Sequence, residues 1–198
     1  MSSGTTNMLL CGVGGQGTIT ASAVLAEAAL LSGCDLKKSE VHGMSQRGGS
    51  VETHLRFARC GVVHSPLIPD GETDILLAFE VLEALRNVAM TRPDGLVVTD
   101  RRQIVPISVT SGPYEYPADP LGDLARTGRT VQVVPGFEIA SQAGDPRAAN
   151  MVLLGAVSTL LDLDPGVWPE AIRAHLRPKA VEVSLRAFEA GAKVLRGR

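Results

Sequence analysis

Two glycine-rich stretches carry the residues whose types and spacing could do chemistry. In the first, Leu9-Leu10-Cys11-Gly12-Val13-Gly14-Gly15-Gln16-Gly17-Thr18, Gly12, Gly14 and Gly17 have the G-x-G-x-x-G spacing. Glycines there let a chain turn sharply out of a strand and bring a backbone or an anion close to the first free N–H groups of the following helix. Gln16, a polar amide beside Gly12, Gly14, Gly15 and Gly17, suggests a loop that faces something polar, a ligand or a partner chain. The second stretch, His42-Gly43-Met44-Ser45-Gln46-Arg47-Gly48-Gly49, adds titratable groups. His42 could act as an acid–base group or as a neutral hydrogen-bond donor. Arg47, flanked by Gln46 and Gly48-Gly49, has the planar head suited to a carboxylate, a phosphate or an interface ion pair.

A dinucleotide site needs more than the glycines. It calls for an acidic residue about 20 positions on, at the end of the second strand, to hold the ribose hydroxyls. That region reads Asp35-Leu36-Lys37-Lys38-Ser39-Glu40. Asp35 comes early for this role, Glu40 is better placed, and Lys37 or Lys38 pointing inward would favour an extra phosphate. Three readings stay open on the residues alone: a stand-alone NADP-dependent reductase, a nucleotide-binding module, and a glycine turn that serves helix–sheet packing.

The elements that must position these loops alternate. Met8 to Val13 is a buried-strand run, and Thr18 to Leu31 is helical with Ile19, Ala23, Ala26 and Leu30 on one face. Asp35 to Val41 can form a second strand. Val51 to Ala58 alternates, and Val62-Val63 is placed to pair with it across Arg59-Cys60-Gly61 as an antiparallel hairpin. Ile75 to Phe79, Gly95 to Thr99 and Thr130 to Val134 repeat the strand signal, with a helix over Glu80 to Met90. Helices follow at Arg147 to Leu161, from Pro169, and at Lys179 to Leu195, where Val181, Leu185, Phe188, Ala192 and Leu195 share a stripe. Pro106 to Pro120 reads as an ordered loop or extended arm. The pattern predicts a three-layer α/β/α domain, Rossmann-like, with a mostly parallel sheet and one antiparallel hairpin. Both glycine loops then fall on the carboxyl edge of the sheet, where open α/β sheets bind ligands.

A chain of 198 residues suggests one domain over 1–198, with residues 1–7 as a flexible tail. Its 19 Lys+Arg against 21 Asp+Glu form no block of like charge, which argues against nucleic acid and against a polybasic membrane patch. The small polar start and the lack of a long apolar run point to a cytoplasmic chain. Cys11, Cys34 and Cys60 are scattered and lack C-x-x-C spacing, so free thiols are expected rather than a zinc or iron–sulfur site.

GVGGQG near the start, then SEVHGMSQRGGSV, HSPLIPDGETDILLAFEVLEALR and DPRAANMVLLGA, resemble the gamma-type subunit of the 2-oxoacid:ferredoxin oxidoreductases, the family of pyruvate:ferredoxin oxidoreductase. The resemblance runs from about Met8 to about Ala192, and the EVHGMSQRGGS wording points to the branch acting on indolepyruvate and other arylpyruvates. It implies a subunit of an enzyme that decarboxylates an arylpyruvate oxidatively with coenzyme A, giving an aryl-acetyl-CoA, carbon dioxide and reduced ferredoxin. It also implies that thiamine diphosphate, Mg2+ and the iron–sulfur clusters sit on a large catalytic alpha subunit. This chain alone then binds no such cofactor and supplies no catalytic residue. The resemblance assigns no dinucleotide to the first loop. It makes Gly12, Gly14, Gly15, Gln16 and Gly17, with His42, Gly43, Gln46, Arg47, Gly48 and Gly49, the candidate contacts to coenzyme A or to the partner.

Overall fold

The computed structural model describes residues 4–42, 48–105, 107–110, 112 and 115–195. In chain order the strands are β1 (Thr5–Val13), β2 (Asp35–His42), β3 (Ser50–Ala58), β4 (Thr73–Ala78), β5 (Thr91–Asp100) and β6 (Thr130–Val134). The helices are α1 (Thr18–Leu31), α2 (Val81–Asn87), α3 (Ile107–Thr110), α4 (Pro120–Arg126), α5 (Gly136–Ala143), α6 (Ala149–Ser158), α7 (Trp168–His175) and α8 (Pro178–Leu195). The strands form one sheet in the order β2-β3-β1-β4-β5-β6. β1, β4, β5 and β6 pair in parallel, while β3 lies antiparallel to both β1 and β2. Five strands therefore point one way, and β3 alone runs back between β2 and β1.

Side chains alternate across β1, so Met8 and Leu10 enter one core and Leu9 and Cys11 the other, all fully buried. The larger core lies under α1, α5, α6, α7 and α8, and the smaller under α2 and α4. This is the three-layer α/β/α arrangement expected from the alternation of elements.

Three local expectations need correction. The antiparallel partners of β3 are β2 and β1, not Val62-Val63, which forms no strand. A two-residue run leading into His64-Ser65-Pro66 cannot sustain a ladder, because proline has no N–H to donate. Instead the Val63 N–H donates to Asp35 Oδ2 at 2.6 Å. Residues 5–7, expected in a flexible tail, belong to β1: Thr5, Thr6 and Asn7 pair with Ala58, Phe57 and Arg56, and the Asn7 N–H donates to Asp74. In α1 the buried face is Ala21, Val24, Leu25 and Ala28, whereas Ile19 and Leu30 are exposed. The helix is apolar nearly all round, so its pattern does not choose a face. The short helices α4 and α5 have defined ends, with the Asp119 carboxylate capping α4 through the Gly122 N–H and left-handed Gly144 closing α5.

Candidate functional site

The sheet reverses direction of growth at β1: the chain leaves it through α1 toward β2 and later returns through β4 toward β5 and β6. The crevice at the carboxyl ends of β1 and β4 is where doubly wound sheets hold ligands. Here Gln16 spans that crevice and forms part of its wall. Its Oε1 accepts from the Val13 N–H at 2.7 Å and its Nε2 donates to the Phe79 carbonyl at 2.6 Å. The amide expected to face a ligand or partner thus joins the ends of β1 and β4.

The other glycines divide by role. A Cβ on Gly12 would meet Thr18, Gln16 and Phe79 at 2.9–3.1 Å. Gly17, left-handed at φ +82, lies under the Asn150 amide, whose Nδ2 donates to the Gly17 carbonyl at 3.2 Å. Gly14 joins the two loops, because its N–H donates to the Gly49 carbonyl at 2.8 Å and its carbonyl accepts from the Gly48 N–H at 3.3 Å. Gly15, at φ +103, is exposed with nothing near its Cβ position. The predicted convergence of Gly12–Gly17 and Gly48-Gly49 on one edge is therefore a direct backbone bridge. His42 ends β2 opposite Val51. Gly43, Gln46 and Arg47 lie outside the described residues.

Dinucleotide binding finds no support in this geometry. β3 separates β2 from β1, which places the end of β2 two inter-strand spacings, about 9–10 Å, from the glycine loop. The acid candidates are spent elsewhere: Asp35 on the Val63 N–H and Glu40 on Lys38 Nζ at 2.7 Å.

Carboxylates at this edge were not singled out by the sequence, although Glu80 and Asp100 each follow a buried apolar strand run. Glu80, fully buried after β4, caps α2 with Oε2 on the Leu82 and Glu83 N–H groups at 2.8 and 3.1 Å. Its Oε1 accepts from the Ile104 N–H at 3.3 Å and the Tyr116 hydroxyl at 2.5 Å. Burial raises the Glu80 pKa, and the Tyr116 hydrogen bond is the largest opposing effect. Glu83, also fully buried, accepts from the Ser50 hydroxyl at 2.5 Å and from Arg86 at 3.0 Å. These two carboxylates tie Ile104, Tyr116 and the start of β3 to α2. Asp100, at the end of β5, is 3% exposed and accepts from the Arg102 N–H at 3.2 Å; burial raises its pKa.

Beside the first loop, Gly15, Asp100, Arg102, Phe137, Asn150 and neighbouring apolar residues line a cleft of about 580 Å3. Apart from Asp100, which ends an apolar strand run, these cleft residues outside the glycine loop come together only through the strand order.

The chemistry of the described residues is that of binding. Cys11 is fully buried, and burial followed by the nearby Glu83 charge pushes its thiol well up, so it is no nucleophile. Cys34 is buried and Cys60 exposed, both unbridged. Among the described residues no group of three or more His, Cys, Asp or Glu is arranged to hold a metal ion, and the cysteines do not fit a cluster. No helix among the described residues is long and apolar enough to cross a membrane.

Residues 7–194 match the protein family described as Pyruvate ferredoxin/flavodoxin oxidoreductase. Indolepyruvate oxidoreductase subunit IorB of Archaeoglobus fulgidus is 39% identical to this chain over 189 residues, which cover 93% of this chain and 92% of that protein. Among solved structures, the gamma subunit of a keto/oxoacid ferredoxin oxidoreductase from Geobacter sulfurreducens PCA shares the fold with a TM-score of 0.70 at 22% identity, covering 96% of this chain and 98% of that one. The 2-oxoglutarate:ferredoxin oxidoreductase of Magnetococcus marinus, solved with 2-oxoglutarate, coenzyme A and succinyl-CoA bound, contains the same fold within a longer chain. There the TM-score is 0.75 at 18% identity, over 100% of this chain and 32% of that one. The chain belongs to the pyruvate ferredoxin/flavodoxin oxidoreductase family, as a small subunit of the indolepyruvate oxidoreductase type.

Proposed function

We propose that this chain completes a cytoplasmic oxidoreductase that converts indolepyruvate and related arylpyruvates to aryl-acetyl-CoA, carbon dioxide and reduced ferredoxin. The observation that carries the reading is 39% identity to an indolepyruvate oxidoreductase subunit along nearly the full length of both chains. Thiamine diphosphate and Mg2+, which would supply carbanion stabilisation, and the iron–sulfur clusters that carry electrons belong on the large alpha subunit. The described residues of this chain offer no ligand set for them.

The part of this chain is to present its carboxyl edge. Gly14 couples the two glycine loops through backbone hydrogen bonds, and Ser50 on Glu83 anchors the root of the second loop. A contact made at one loop is therefore felt at the other. The anionic groups of coenzyme A or a carboxylate of the partner subunit are the proposed contacts, with Arg47 as the bidentate donor and His42, Gly43 and Gln46 beside it.

Reconstitution tests this. The chain alone should show no cofactor absorbance and no oxidoreductase turnover, and activity should appear when it is combined with the large subunit and assayed on indolepyruvate, phenylpyruvate and pyruvate. NADP-dependent turnover by the purified chain would refute the reading. Arg47→Ala should raise the apparent KM for coenzyme A or weaken assembly, with Arg47→Lys a partial rescue.

A further inference from the structure

The cleft beside the first glycine loop is assembled from three widely separated segments. The end of β5 brings Asp100 and Arg102, the start of α5 brings Phe137, and the turn into α6 brings Asn150. Its volume, about 580 Å3, lies within the range of small-molecule sites.

Charge at the cleft is limited. Arg147 is held by Asp145, with Nη2 at 2.6 Å from Oδ2. The Arg102 guanidinium stacks 4.3 Å above the Phe137 ring, and no carboxylate among the described residues pairs with it. Stacking fixes the plane of the guanidinium and leaves its N–H edge available.

Part of the row of loop amides that a polyphosphate would use is already bonded. The Gly14 N–H is bonded to Gly49, the Gln16 N–H to the Val13 carbonyl, and both ends of the Gln16 side chain are occupied. Asp100 in the wall disfavours a second negative charge. The apolar part of the wall is chiefly Ile104, Phe137 and Pro146. Among the described residues, one cation without a carboxylate partner, one wall carboxylate and an apolar, aromatic surface together match a ligand with a single anionic head and a planar body.

We infer that this cleft binds an aromatic monocarboxylate, its carboxylate on the Arg102 guanidinium and its ring against Phe137 and Ile104. The inference goes beyond the subunit assignment and is tested on the full chain without its partner, so its failure and that of the reconstitution are separate results.

The experiment is calorimetric titration with indole-3-acetate, with the neutral alcohol indole-3-ethanol, and with AMP. The chain should bind the acid at least tenfold more tightly than the alcohol. Arg102→Met should bind both equally, and Arg102→Lys should fall between. Because Arg102 is exposed, unchanged thermal melting should confirm that the variants are folded. No saturable binding of the acid by the unmodified chain, discrimination that persists in Arg102→Met, or tighter binding of AMP than of the acid would each overturn the inference.

Discussion

Glycines gather in two regions of this molecule, and they do opposite work. In the first loop, Gly12, Gly14, Gly15 and Gly17 stand at an open edge, where the structure shapes a surface. At the crossing of α6 and α8, Gly155 and Gly191 lie inside the larger helical layer. A Cβ on Gly191 would sit 1.9 Å from the Val152 carbonyl oxygen, and one on Gly155 would sit 2.1 Å from that of Phe188. The two helices touch backbone to backbone. G-x-G-x-x-G spacing draws attention to the loop, yet the stricter steric demand falls on two helical glycines that no glycine spacing marks. Spacing identifies glycines that a fold family reuses at a turn, whereas only packing identifies those that let two helices meet.

The largest effect should therefore come from the crossing. Gly191→Ala and Gly155→Ala should each destabilise the chain by about 3 kcal/mol, at the upper end for overpacking, because the atoms in the way are backbone and cannot rotate aside. Urea denaturation measures this. The double variant should lose less than the sum, since one separation of α6 from α8 relieves both clashes. Additive losses would show that the helices do not respond as a pair.

A smaller effect, about 2 kcal/mol, is expected from Gly17→Ala. It carries the strain of a left-handed alanine and displaces the Asn150 amide, but Asn150 is a side chain and can move. The loop should stay folded where the crossing variants do not.

Tyr116→Phe probes the carboxylates behind the loop. It removes one hydrogen bond to a charged, buried group, worth about 1.5–2 kcal/mol at neutral pH. Burial already holds the folded-state Glu80 pKa above its unfolded value, and the Tyr116 hydroxyl pulls it down. A raised carboxylate pKa means that the folded state takes up the proton first as pH falls, so the cost of the buried charge grows as pH rises through the folded pKa. Loss of the hydroxyl raises that pKa further. The deficit of Tyr116→Phe should be greatest above the folded pKa and shrink as pH falls toward about 4.5, near the unfolded value. Melting curves of both proteins across this window check the sign. A deficit that does not vary with pH would mean that Glu80 does not titrate there.

Much of the fold was legible because its central strands are buried on both faces. Met8 to Val13 and Ile75 to Phe79 are continuous apolar runs that only a buried sheet accommodates. The face of α1 was not legible, since alanines and leucines surround the helix. Nor was the partner of β3, because pairing depends on which neighbour can sustain a ladder. At the site, the glycine loops announce themselves, but the purpose of Gln16 does not: its residue type is the same whether the amide faces a ligand or staples β1 to β4. Glu80 and Asp100 each follow an apolar strand run, a signal available in the sequence. Phe137 and Asn150 had none, since they reach the edge only through a strand order that places β5 and β6 beyond β4.

Gly15 sharpens the comparison most, although its stability effect should be the smallest. It is exposed and left-handed, with nothing within 4 Å of its Cβ position. Gly15→Ala therefore carries only the cost of the left-handed conformation, about 1 kcal/mol, and fills space that the chain itself leaves open. If the edge only closes the fold, the variant should be slightly less stable and otherwise normal. If a partner or ligand approaches the edge closely, the added methyl group stands in its path. Assembly with the large subunit, or the coenzyme A dependence of the reconstituted enzyme, should then fall severalfold, well beyond what the small stability loss explains. The crossing glycines predict the reverse: variants there should lose stability first, and any folded fraction should assemble normally. Reconstitution titrations of Gly15→Ala beside Gly191→Ala, corrected for the folded fraction, separate a glycine kept for what comes to the edge from one kept for what the fold already contains.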